Sequence, residues 1–135
     1  MLLEKVRRYR SDKYDLNCAE TIIYAANEEY NLNLSRETLK TMAAFGGGMG
    51  IESVCGAATG ALAVLGIMFT QQRAHESARV KELAKEFMES FEEQLGTNNC
   101  KELKSKYRND EIGCSKMIEL AAVILDDIVL REMKM

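Results

Sequence analysis

Apolar residues recur along this chain at three- and four-residue intervals, the period of a helix face. No stretch alternates apolar and polar over a strand length, and proline is absent. The pattern predicts an all-α fold. A short helix is expected from about Leu2 to Arg10. A second follows Asn17 and carries Ala19, Ile22, Ile23, Ala26 and Tyr30 on its inner side. Ser35 is placed to cap a third, with Leu39, Met42 and Ala43 on one side, ending at Phe45 before Gly46-Gly47-Gly48-Met49-Gly50. From Val54 to Phe69 the chain is apolar on every side except at Thr59. A helix of that kind belongs at the centre of a bundle. Beyond Gln71 the pattern turns amphipathic, with Val80, Leu83, Phe87, Phe91 and Leu95 as its stripe and Gly96 as its stop. Thr97-Asn98-Asn99 introduces a short helix to about Tyr107, and a last helix spans about Asp110 to Arg131. The expectation is a compact bundle of five to seven helices around 54–69, forming one domain over 1–135.

Inside the central segment, Gly56 and Gly60 stand four apart, and Ala57 and Ala61 repeat the spacing. Such small-residue pairs let a neighbouring backbone approach closely, and each glycine costs roughly 1 kcal/mol of helix propensity.

Composition narrows the function. Hydrophobic residues make up 47% and charged residues 29% of 135 residues, ordinary for a globular protein. A net charge of -3 with dispersed basic residues gives no footprint for nucleic acid. The sixteen-residue apolar run is too short to span a membrane, and the first residues carry no secretory h-region. The expected location is cytoplasmic.

Four cysteines, Cys18, Cys55, Cys100 and Cys114, carry the candidate chemistry. Each reads as lying near a helix start. Asn17-Cys18-Ala19-Glu20 and Asn99-Cys100-Lys101-Glu102 resemble capping boxes, Cys55 follows a glycine-rich turn and Ser53, and Cys114 follows Asn109-Asp110-Glu111. The positive end of a helix favours a thiolate, so Cys55, at about the second position of the central helix, is expected to have a lowered pKa. Gly56 is expected to leave open space beside that sulfur. Without a CxxC pair, and with 13 residues in the smallest gap, zinc is disfavoured. The sole histidine, His75, lies on an expected solvated face, and Glu52 neighbours Cys55. The eight methionines sit at core spacings. The glycine loop lacks the Lys-Ser/Thr and preceding strand of a phosphate cradle.

Cys18, Cys55-Gly56-Ala57-Ala58-Thr59-Gly60, Cys100 and Cys114 together resemble the redox-active family named for its cysteine pattern, C-GCAxxG-C-C. The name spells Gly-Cys-Ala where this chain reads Cys55-Gly56-Ala57, which moves the sulfur about a quarter turn around the helix. The resemblance runs from about Leu16 to Val129. It implies a small helical protein with a redox role, without specifying substrate.

Three readings follow. In the first, the chain is an oxidoreductase of the thiol–disulfide or electron-transfer kind, with Cys55 as primary thiol, Cys18 as resolver, and Cys100 with Cys114 as a second pair. Its partner is a redox protein or a small-molecule oxidant. In the second, all four cysteines ligate an iron–sulfur cluster or, less favoured, zinc. In the third, the cysteines only pack and the chain is an interaction module, with a homodimer open.

Overall fold

The computed structural model describes residues 1–134. Its helices are α1 (Leu2–Tyr9), α2 (Cys18–Glu29), α3 (Arg36–Lys40), α4 (Gly56–Phe69), α5 (Ala78–Leu95), α6 (Cys100–Tyr107) and α7 (Ser115–Met133). There is no strand among the described residues, only two isolated bridges, so the fold is all-α. Among the described residues no helix is long and apolar enough to cross a membrane.

The core forms where the apolar stripes meet. α4 packs against α2, α5 and α7, and α1 closes the other side of α2 and α7. None of the α4 residues is exposed, as an all-round apolar helix requires. Leu83, Phe87, Phe91 and Leu95 bury the inner stripe of α5, and Phe87 and Phe91 stack with ring centroids 5.8 Å apart. Gly96 ends α5 with φ +86°. Between α5 and α7, Arg131 grips Glu86 through two bonds of 2.7 and 2.8 Å.

The glycine pair of α4 has a specific partner. A Cβ on Gly60 would stand 2.8 Å from the Ala19 carbonyl oxygen and 3.0 Å from Ala19 Cα. Small residues thus bring the first turn of α2 directly onto α4.

Three boundaries differ from the sequence expectation. The third helix stops at Lys40 rather than Phe45. Residues 41–45 continue as tighter turns with i→i+3 bonds, and the Asn17 amide donates to the Ala43 carbonyl at 3.1 Å. That carbonyl is turned outward to a side chain instead of staying in a helical ladder. The last helix begins at Ser115, five residues later than expected. Asn109 Oδ1 accepts from the Glu111 and Ile112 amides, both at 2.9 Å, and Gly113 follows with φ +56°. This local turn competes with helix and wins. Finally, α4 begins at Gly56, which leaves Cys55 as its N-cap.

Candidate functional site

All four cysteines reach one cavity of about 250 Å³. Each arrives on a different helix start. Cys18 is the first residue of α2, held by a complete capping box: the Glu20 amide donates to Asn17 Oδ1 at 2.7 Å, and the Asn17 amide donates to Glu20 Oε1 at 2.9 Å. Cys100 is the first residue of α6. Here only half of the expected box forms. The Glu102 amide donates to Asn99 Oδ1 at 3.0 Å, while the Asn99 amide turns to Thr97 Oγ1 instead. Cys55 and Cys114 are the N-caps of α4 and α7.

The backbone ties these starts together. Val54 and Asn99 form an antiparallel bridge, with the Cys55 amide donating to the Asn98 carbonyl at 2.8 Å and the Cys100 amide to the Ser53 carbonyl at 2.5 Å. Gly48, at φ +64°, has no room for a side chain: its Cβ would lie 2.8 Å from Cys100 Cβ and 2.4 Å from the Ser53 amide. The glycine-rich segment therefore wraps the site's wall. Gly56 departs from expectation. Its vacant Cβ position is taken by Cys18 Cβ and the Phe45 carbonyl, at 3.2 and 3.1 Å, so it admits a neighbouring cysteine rather than leaving open space.

The thiols differ in ionisation. Burial pushes Cys55 up to about 11, against the opposing pull of the Ala57 and Ala58 amides. The expected lowered pKa of Cys55 is thereby corrected: two helix-end amides do not offset the loss of water around a residue only 4% exposed. Cys100 is also raised by burial, which outweighs nearby Lys104. Cys114 is the thiol held below its ordinary value. The neighbouring Cys18 thiol favours its ionised form, and Arg108, Lys104 and Arg10 add positive charge. The same proximity to Cys114, with burial, pushes the Cys18 thiol up. Cys18 and Cys114 are thus neighbouring thiols pulled in opposite directions, with Cys114 the easiest of the four to ionise.

Four free cysteines line the cavity, yet among the described residues no group of three or more His, Cys, Asp or Glu side chains is arranged to hold a metal ion. His75 is exposed on a short turn of helix and is not among the cavity residues. Glu52 is exposed and pairs with Lys104 at 3.5 Å.

The sequence reading missed the cavity's cations, Arg10, Lys104 and Arg108. One signal was available for two of them. Cys100, Lys104 and Arg108 follow one another at four-residue steps, which places them along one helix face. Nothing local marks Arg10.

A family described as "Putative redox-active protein (C_GCAxxG_C_C)" matches residues 16–128. No curated protein and no solved structure gives a significant match.

Proposed function

The chain belongs to this redox-active family, C_GCAxxG_C_C, and we propose that it works by thiol–disulfide exchange, with Cys114 as attacking thiolate and Cys18 as resolving thiol. The observation that carries this reading is the convergence of four cysteines on one cavity, and the lowered pKa of Cys114 beside Cys18 supports the order of attack. A thiolate is the nucleophile in exchange, and its partner must already be within reach. This assignment moves the primary role from Cys55, whose burial keeps it protonated, to Cys114.

The chemistry balances in two displacements. Cys114 Sγ attacks one sulfur of a disulfide, the S–S bond breaks, and one thiolate departs. That leaving group takes the proton of Cys18. Cys18 Sγ then attacks Cys114 Sγ, releasing the second thiolate, which is protonated from solvent. The two cysteines lose two electrons and become a disulfide, and the substrate disulfide becomes two thiols. Cys55 and Cys100, joined through the Val54–Asn99 bridge, serve as a second dithiol. The oxidising partner is a redox protein or a small disulfide, and a reducing cytoplasm supplies the thiol form.

Trapping tests this order. Reduced protein is exposed to a limiting disulfide, quenched with an alkylating agent and mapped by peptide mass. The expected wild-type product is a Cys18–Cys114 disulfide. Cys18→Ser should accumulate a mixed disulfide on Cys114, and Cys114→Ser should form neither. Mixed disulfide on Cys55 first, or equal oxidation of Cys114→Ser, overturns the assignment.

A further inference from the structure

The cavity holds more positive charge than its thiolate balances. Arg10, Lys104 and Arg108 line it, and no Asp or Glu does. Lys104 has Glu52 at 3.5 Å. Arg10 and Arg108 make no ion pair among the described residues. By contrast, Arg7, Arg8, Arg79 and Arg131 each hold a carboxylate. Three cations thus face one thiolate and one carboxylate, leaving a surplus of positive charge at a small opening.

A second observation points the same way. Arg10 Nε is buried and has no hydrogen-bond partner among the described residues. Leaving a buried charged donor unmade costs free energy, and a guanidinium is shaped to take a carboxylate through paired N–H groups. Arg10 packs beside Gly113, whose Cβ would lie 3.2 Å from its Nη2. This places the guanidinium next to Cys114. The lining also includes apolar Leu103 and Met117, both buried. A ligand with an apolar, sulfur-bearing middle and an anionic end matches this mixture of thiols, apolar side chains and cations.

We infer that the cavity selects small disulfides carrying a carboxylate near the sulfur, with Arg10 and Arg108 as the groups that bind it. The inference rests on the exchange reading for its reaction, and on the orphaned guanidinium for its specificity. Arg10 and Arg108 hold the carboxylate while Cys114 Sγ displaces the thiolate as described above.

Three disulfides of similar size and different charge provide the test: dithiodiglycolate, bis(2-hydroxyethyl) disulfide and cystamine. Each rate with the reduced protein is divided by its rate with free 2-mercaptoethanol, which removes intrinsic reactivity. The anionic compound should lead the neutral one by about tenfold at low salt, the cationic one should trail, and salt should compress the spread. Arg10 and Arg108 also stabilise the thiolate, so their loss slows all three compounds, and the ratio is the diagnostic. In the Arg10→Gln/Arg108→Gln variant the anionic-to-neutral ratio should fall close to one, whereas Arg10→Lys should keep most of it. Arg108→Gln alone, at an exposed side chain, should give an intermediate ratio in a folded protein.

Binding is read separately with thiodiglycolate, a thioether with the same two carboxylates and no S–S bond. It should raise the melting temperature of the wild type and not of the double variant. A wild-type ratio near one, or equal stabilisation of wild type and double variant, overturns the inference and leaves exchange standing. Thiodiglycolate binding without oxidation by any disulfide would sink the exchange reading and support the anion site alone.

Discussion

Desolvation and helix-end electrostatics pull a thiol in opposite directions, and the four cysteines separate along that balance. Cys55 has the amides of α4 and still rises to about 11 because it is buried. Cys114 falls because a neighbouring thiol and three cations act on a half-buried sulfur. The rise at Cys55 has a consequence for stability. A thiol unfolds to a pKa of about 8.5, so the folded state holds its proton more tightly than the unfolded chain does. The stabilisation is fully present below about pH 8.5 and is lost as pH rises toward 11, by roughly 3 kcal/mol at its limit. Denaturant melts of wild type and Cys55→Ala at pH 8 and pH 10.5 should therefore differ, with the wild type losing more stability between the two. Equal losses would contradict the assigned burial of this thiol. Position in sequence marked all four residues as candidates and favoured Cys55 for its place at the start of the central helix. The decisive quantity is how much water and charge each sulfur meets, and that depends on how the chain packs around it.

At the scale of elements, α4 and α2 meet through missing side chains. Gly60 accepts the Ala19 backbone, and Gly56 accepts the Cys18 Cβ. Gly66, in the same helix, faces no atom within 4 Å. The two glycines should respond oppositely to alanine. Gly66→Ala should stabilise the protein by up to about 1 kcal/mol through helix propensity. Gly60→Ala should destabilise it by about 1–3 kcal/mol, because the contact is backbone and cannot swing aside. Chemical melts of both variants check the pair of signs. Gly60→Ala should also slow formation of the Cys18–Cys114 disulfide, since α2 must move away from α4. The GxxxG spacing was legible without coordinates. Which helix it accepts was not, because a small residue states only that something comes close. Element ends were read less well. Asn17, Ser35 and Asn99 do cap helices, but the expected start at Asp110 failed because Asn109 spends its side chain closing a turn.

At the scale of the molecule, one core cluster draws on α1, α2, α4, α5, α6 and α7. A buried carboxylate ties three of these helices. Asp126, on α7 and 4% exposed, accepts the Tyr30 hydroxyl at 2.7 Å beside the end of α2 and the Leu2 amide at 3.2 Å at the start of α1. Its oxygen serves as a cap for α1 supplied by another helix. Asp126→Ala would leave that amide and hydroxyl without their acceptor, at a cost of about 2–3 kcal/mol. The expected result is a melting temperature lower by several degrees, with far-UV circular dichroism and tyrosine absorbance still falling together. Separate transitions for the two signals would argue against a single domain over the chain. A wild-type melting temperature in Asp126→Ala would show that these bonds carry little stability.

Hydrophobic periodicity and the absence of strand patterning were enough to determine an all-helical protein with an apolar central helix, because each helix must bury its stripe whatever its neighbours are. The cysteine spacing with its glycine-flanked core was enough to determine the family, because that pattern is local text. Tertiary structure decided the rest of the site. It brought Cys18 and Arg10 from the N-terminal part of the chain to Cys114, and buried Cys55. Ionisation and pairing depend on distance in space and on the surrounding dielectric, and neither can be read along the chain.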